Sequence, residues 1–270
     1  LNNPMLNATY ANQFIAGIRV LENWTNKQKA SQKNFAFNRS QFSLAGNILN
    51  ALSGVFNYGT GADTNSDGML GTPYETVGGI RYAQFIKLQN DLSLNSRINR
   101  TQSMAYRFLG GIGIAYGNSI ALPYDRSFYG GGANDNRGWR ARTLGPGSMS
   151  DELKVGVDQV ADIKIQISGE YRFKIYKSSI EGALFGDLGN IWLLREDPDR
   201  PGANFELNRL MNEFALSAGP GIRFNFGFFL IRLDWGVKIY NPGVGKDANG
   251  EDLNRFIWGG NISKESVLNL

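Results

Sequence analysis

Three arginines stand close together in a glycine-rich stretch of the chain, GGANDNRGWRARTLGPGS at residues 131–148. They are Arg137, Arg140 and Arg142. Two carboxylates that could receive a guanidinium follow at Glu170, in GEYRF, and at Asp187, in FGDLGN. A guanidinium donates forked, charge-assisted hydrogen bonds whose geometry a lysine ammonium cannot reproduce. These residue types therefore predict charge pairing between a loop arginine and two carboxylates, with no covalent chemistry.

The amino-acid composition excludes several kinds of functional site. The chain has no cysteine and no histidine, so disulfides, thiolate-bound metals and hydrolases built on a histidine base are excluded. The lysines and arginines are spread along the chain, and the net charge of +4 is mild for 270 residues. A nucleic-acid partner is not expected, because such proteins concentrate their basic residues. We predict a protein that is not an enzyme and has no cofactor.

Other chemistry remains open for some of these residues. Two carboxylates about 7 Å apart also match the spacing of glycosidase pairs, although neither a sugar cleft nor a raised pKa is visible in the sequence. Arg140 and Arg142 either bind lipopolysaccharide or are simply solvated, as exposed charges usually are.

The stretch DTNSDG at residues 63–68 has Asp63, Asn65, Asp67 and Gly68 in the order of a calcium loop. Tyr74 replaces the required glutamate, so a polar loop is the main expectation.

Alternating residues predict the strands that position these groups. ADIKIQISGEYRF, from Ala161, alternates apolar and polar side chains over about thirteen residues, and EFALSAGPGIRFNF and FFLIRLDWGVKIY repeat the pattern. Earlier runs near residues 10–24, 34–49 and 81–94 alternate less cleanly. We count about nine strands, including a truncated one at 266–270.

A transmembrane β-barrel explains these strands better than a soluble β-sandwich does. The strands are longer than usual, and their apolar face ends in aromatic residues, as at a membrane interface. The lipid-facing rows are predicted at Ile163, Ile165 and Ile167 and at Phe229, Ile231 and Leu233. The aromatic residues are Tyr116, Tyr171, Phe173, Trp192 and Phe226.

Connection lengths predict the orientation of the barrel. Short hairpins at 176–179 and 225–228 alternate with long connections at 58–79, 118–157, 195–212 and 241–264. Outer-membrane barrels keep short turns on the periplasmic side and long loops outside. The arginine-bearing loop at about 118–157 is therefore expected to be extracellular.

The hairpin register brings the two carboxylates together. If the turn after GEYRFKIY centres on Lys177 and Ser178, Glu170 lies opposite Phe185, and Asp187 is its diagonal neighbour. Diagonal pairs on one face are roughly 7–8 Å apart. We expect Arg137 to enter the barrel and bridge Glu170 and Asp187, an arrangement called here the latch. Gly138 would permit a sharp turn, and Trp139 would pack against the interior.

These motifs together resemble the BamA/TamA insertase superfamily of outer-membrane barrels, and RGWRARTLGPGS is most similar to its Bacteroidota TamA-like (TamL) members. The family's loop tripeptide Arg-Gly-Phe/Tyr matches Arg137, Gly138 and Trp139, with tryptophan in the aromatic position. Its Phe-x-Asp-x-Gly element falls on Phe185, Asp187 and Gly189. The resemblance covers the chain from about residue 10 to its end.

The resemblance implies a non-enzymatic assembly factor in the bacterial outer membrane. Its first and last barrel strands would pair weakly, and a client strand would be templated at that seam. The implied partners are outer-membrane lipid and lipopolysaccharide, unfolded outer-membrane protein clients, and a periplasmic or envelope-spanning protein. A polypeptide exporter of the same superfamily and a passive pore remain alternatives, because a latch does not distinguish them.

The resemblance also implies how much of the barrel is present. A family barrel has about sixteen strands, so residues 1–270 are expected to be the C-terminal part of a single barrel domain of bacterial surface antigen type, without periplasmic N-terminal domains. The family usually ends in an aromatic residue, and this chain departs from that pattern. We expect about five or six further residues with the same alternation. The seam strand is assigned to Ser266, Val267, Leu268, Asn269 and Leu270.

Overall fold

The computed structural model describes residues 3–29, 31–53, 55, 58–64, 70–154, 158–176, 179–245, 255–256 and 266–269. In these residues strands predominate. The strands are β1 (Gly17–Thr25), β2 (Phe35–Ala45), β3 (Gly59–Thr64), β4 (Leu70–Val77), β5 (Ile80–Arg81), β6 (Phe85–Arg97), β7 (Gln102–Ala115), β8 (Ile163–Tyr176), β9 (Ile180–Trp192), β10 (Ala215–Asn225), β11 (Leu230–Tyr240) and β12 (Ser266–Asn269). The helices are α1 (Pro4–Tyr10), α2 (Asn47–Leu52) and α3 (Leu210–Glu213).

Nine of these strands form one sheet in the order β1-β2-β6-β7-β8-β9-β10-β11-β12. The pairs from β8 to β12 are antiparallel. This confirms the prediction of an all-β fold with about nine strands, including the short one at Ser266. β1 and β12 are the edges of the sheet. Among the described helices, none is long and apolar enough to cross a membrane.

The two faces of the sheet differ as the alternation predicts. Ile167, Leu184 and Trp235 are exposed on one face, whereas Asp187 and Asp234 are fully buried on the other. Strand residues alternate between faces, so the polar positions form one continuous surface. That surface positions the functional groups described below.

Two outward assignments are wrong at the long-loop end of the sheet. Ile163 is buried, because it lies where the connection after β7 returns and Phe128 bridges to Ala161. Trp192 is fully buried and donates from Nε1 to Glu213 Oε2 at 2.7 Å, so it does not belong to an interfacial aromatic girdle. The connection between β9 and β10 covers it.

Short and long connections alternate along the sheet. The links β6–β7, β8–β9 and β10–β11 are short, whereas those after β2, β7, β9 and β11 are long. The connection after β2 is more ordered than the predicted polar loop, because β3, β4 and β5 form a three-stranded sheet within it. The calcium-like residues 65–68 lie outside the described part of the chain.

The N-terminal segment also departs from the sequence pattern. Tyr10 ends α1, and the first strand begins only at Gly17. Pro4 suits the first turn of a helix, where no backbone donor is needed, and Asn3 caps the helix by accepting from the Leu6 amide at 2.9 Å. Of the strand predicted at about 10–24, the helix takes only Tyr10, and residues 11–16 connect it to β1.

The chain divides into two compact units. Unit 1 comprises 1–22, 40–89 and 111–127, and its core includes Ala83, Phe85 and Leu122. Unit 2 comprises 23–39, 90–110 and 128–270. It contains one apolar cluster around Met149 and Ile191 and a second formed by Trp139, Leu144 and Ala215.

Candidate functional site

The site is built by the loop between β7 and β8, and residues 129–139 of that loop are called here the clamp loop. The loop folds back on itself: Gly130 bridges to Leu144, and the Gly132 amide donates to Trp139 O at 2.9 Å. Gly131 has φ +92°, and a Cβ there would lie 2.3 Å from Arg140 O. Glycine at 131 therefore allows the two arms of the loop to approach each other closely, and Arg137 lies at the tip between them.

Arg137 contacts three carboxylates at once. Its Nε and Nη2 donate to the two oxygens of Asp187 at 2.8 and 2.9 Å. Its Nη1 donates to Glu170 Oε2 at 2.8 Å and to Asp234 Oδ2 at 3.1 Å. Glu170 pairs with Phe185 in the β8–β9 ladder, which is the register that the hairpin predicts. The three strands β8, β9 and β11 each supply one acceptor.

Further cations balance these carboxylates. Arg223 Nη2 lies 2.6 Å from Glu170 Oε1, Arg232 Nε lies 3.2 Å from Asp234 Oδ2, and Arg172 also pairs with Glu170. Buried charges are tolerated when they are paired and hydrogen-bonded. The latch is thus one part of a charge network on the polar face of the sheet.

The environment of Arg137 keeps its guanidinium charged. Arg137 is only 5% exposed, and burial alone would lower its pKa. The hydrogen bonds and negative charges of Asp187 and Glu170 outweigh burial and raise that pKa instead. The guanidinium carbon also lies 3.5 Å from the centre of the Phe185 ring, which adds a cation–π contact.

Small residues let the loop backbone lie against the sheet. A Cβ on Gly138 would lie 2.6 Å from Ser217 Cβ, and a Cβ on Gly236 would lie 2.1 Å from Arg137 O. The Gly138 amide donates to Ser217 Oγ at 3.2 Å. At Gly189 the space that a side chain would need is filled by Gln166 Oε1, 2.0 Å from the Cβ position.

Residues on either side of Arg137 anchor the tip. Trp139 is buried against Leu144 and Ala215. Asn136 is fully buried, accepts from Ser217 Oγ at 2.6 Å and donates to Ala215 O at 3.0 Å. All polar groups of the Asn136 side chain thus bond to β10, and the tip is fixed from both sides.

The clamp loop contacts six consecutive strands of the sheet, from β7 to β12. Arg232 donates to Ala133 O, and Asn269 Nδ2 donates to Arg137 O at 2.9 Å. The strand residues that contact it are Arg107 on β7, Lys164 and Glu170 on β8, Asp187 on β9, Ser217 on β10, Arg232 and Asp234 on β11, and Asn269 on β12.

The other predicted residues have more varied positions. Arg140 is exposed, and Arg142 pairs with Asp158 at 2.9 Å on the surface. Of the seam strand assigned to 266–270, residues 266–269 form β12 and pair with β11. Leu270 lies outside the described residues.

Sequence reasoning missed Asp234, Arg223, Asn136, Ser217 and Gly236. The alternation does place Asp234 and Arg223 on the polar face of their strands, so the sequence indicated which way these side chains point. It did not indicate the register of the strands, which brings both side chains close to Arg137.

The arrangement forms buried ion pairs and is not suited to making or breaking covalent bonds. Glu170 and Asp187 both bind the same guanidinium, so neither carboxyl is free in the way that a glycosidase acid or nucleophile must be. Within the described part of the chain, no group of three or more acidic side chains could hold a metal ion. The site is suited to holding a loop against the polar face of the sheet.

Comparison with known proteins identifies the family. A stretch of 91 residues, 31% of this chain, is 34% identical to the outer membrane protein assembly factor BamA of Neisseria meningitidis serogroup B and spans 11% of that protein. The structure of BamA from Haemophilus ducreyi lacking POTRA domains 1–3 matches 83% of this chain and 41% of its own length, with 14% identity and a TM-score of 0.48. Residues 5–262 match the model of the Omp85 superfamily domain. The chain therefore belongs to the Omp85 superfamily.

Proposed function

We propose that this chain is part of a factor that assembles and inserts outer-membrane proteins. Omp85 membership indicates the bacterial outer membrane as its location. The observation that carries the proposal is the clamp loop, whose Arg137 is buried among Glu170, Asp187 and Asp234 and whose backbone also contacts β12. A loop held this way connects the central strands of the sheet to its edge strand, β12.

Strand templating at β12 is the proposed mechanism. An edge strand presents unpaired backbone N–H and C=O groups, onto which an extended segment can add by main-chain hydrogen bonds. The clamp loop holds β7 to β12 together while a client segment adds at the free edge of β12. Unfolded outer-membrane proteins are the proposed clients, and no covalent step is needed.

We also propose a subfamily, a place in the barrel and a further partner for this chain. The loop sequence RGWRARTLGPGS supports a place among the Bacteroidota TamA-like (TamL) members. We assign residues 1–270 to the C-terminal part of one outer-membrane barrel domain, with lipid and lipopolysaccharide around it. A periplasmic or envelope-spanning protein is the proposed further partner.

Site-specific crosslinking tests the mechanism. A cysteine at Val267 on β12 should crosslink to a cysteine-bearing client strand in the full-length protein during assembly. A cysteine at Ile165, in the middle of β8, is the matched control. Crosslinks confined to Ile165 would exclude templating at β12. Absence of client crosslinks at both positions would favour a passive pore, and crosslinks from inward positions such as Ser168 would favour a polypeptide exporter.

A further inference from the structure

The turns at one end of the sheet, with the strand residues next to them, carry an excess of positive charge. The segments 26–34, 97–101, 174–181 and 225–230 contain seven lysines and arginines and one carboxylate, a net charge of +6. Since the whole chain has 28 basic and 24 acidic residues, a net +4, the remaining residues sum to −2. The excess positive charge of the protein therefore lies entirely at one end of the strands.

The structure brings these charges together within unit 2. The turns β1–β2, β6–β7 and β8–β9 follow one another along the sheet, because β2 is next to β6 and β7 is next to β8. The described cations of these segments, called here the basic turn cluster, are Lys27, Lys29, Lys33, Arg97, Arg100 and Lys174.

The members of the basic turn cluster are exposed. Among the described residues, none of the six has a carboxylate partner. Lys27 lies over the Phe35 ring, and Arg97 Nε donates to Asn99 O at 2.7 Å. This contrasts with the arginines of the latch network, each of which pairs with a carboxylate. The cluster thus keeps its charge available.

An open cavity of about 460 Å³ lies at the cluster. Lys33, Arg97, Arg100 and Lys174 line it, together with side chains that can hydrogen-bond to amides, such as Asn95. Glu181 is its one acidic lining residue. The cavity is therefore charged and rich in hydrogen-bonding groups, with few apolar side chains.

We propose that the basic turn cluster and its cavity bind an acidic polypeptide segment. Opposite charge favours such a partner, and the amide side chain of Asn95 can bond to a peptide backbone. An anionic lipid headgroup fits less well. Arg172 and Lys174 lie on the same face of β8 as Glu170, the face opposite the exposed Ile167 of the predicted lipid-facing row. This proposal does not depend on the assembly role.

Peptide binding to the full-length protein in lipid nanodiscs tests the proposal. The probe is a fluorescent twelve-residue peptide of alternating glutamate and serine, measured by anisotropy at several salt concentrations. We expect saturable binding that weakens as salt rises, because exposed charges are screened. Arg97→Gln with Arg100→Gln should weaken it by about three- to tenfold, since each exposed charge contributes modestly.

The matched control removes two exposed arginines at the other end of the strands, Arg140→Gln with Arg195→Gln, and should leave the affinity unchanged. An equal loss in both double variants would mean that only net charge matters and would overturn the proposal. No binding to the unaltered protein would also overturn it. Competition by glycerophosphoglycerol at the same concentration as the peptide would identify a lipid-headgroup site instead.

Discussion

Replacing Arg137 with lysine tests the latch most directly. The guanidinium makes four side-chain hydrogen bonds of 2.8–3.1 Å to Asp187, Glu170 and Asp234. A lysine has one nitrogen and cannot span all three carboxylates. If two bonds to charged groups are lost at about 1.5–3 kcal/mol each, the cost is about 3–6 kcal/mol. Loss of a partner from a buried ion pair has a similar cost, about 3–5 kcal/mol.

The assay is urea unfolding of the protein in detergent, followed by gel mobility and tryptophan fluorescence. Arg142→Lys is the matched control in the same loop. Arg142 and Asp158 form an ion pair whose side chains are 46% and 41% exposed, and such pairs contribute about 0–1 kcal/mol. Equal losses of unfolding free energy in the two variants would refute the argument that buried, forked geometry makes Arg137 special.

Three further predictions follow from single contacts. Gly236→Ala should displace the clamp loop, since the new Cβ would lie 2.1 Å from Arg137 O, and protease sensitivity of the loop would then increase; an unchanged digestion rate would contradict this. Trp192→Phe should lower the unfolding free energy by about 1–3 kcal/mol, because it leaves buried Glu213 without its indole donor, and urea titration measures the loss. Asn269→Leu removes the side-chain bond to Arg137 O and should speed amide exchange in β12 without affecting β9, as hydrogen exchange would show; equal exchange in both strands would exclude a local effect.

Much of the sheet and part of the site could be predicted because their determinants are local. Glu170 and Phe185 belong to one hairpin, so a single turn fixes their register. The position of Asp234 depends on two more ladders. Its pairing with Gly221 continues the register of the short β10–β11 hairpin, because the shift between Leu216 and Ser217 lies beyond it. The β9–β10 ladder follows a long connection that does not fix its register, so the third acceptor of Arg137 could not be predicted.

Buried aromatic residues show a second limit of the sequence pattern. Trp192 ends an apolar row in the way an interfacial residue does, and its own strand contains no sign that it is covered. The covering groups, Glu213 and Phe214, come from the far end of the next long connection. A similar limit applies to β3 to β5, whose polar composition is typical of a loop although the segments pair with each other.

The reach of the clamp loop has a consequence for the order of folding. The loop precedes β8 in the chain, yet Asp187 is 50 residues away from Arg137, Asp234 is 97 and Asn269 is 132. Contacts between residues so distant in sequence form late, because long segments must be ordered before the contacts can stabilise them. Arg137 therefore has its complete set of partners only after β12 has joined the sheet. A chain that stalls before β9 has paired with β8 leaves Arg137 without Asp187, and the clamp loop is then exposed to solvent and to proteases.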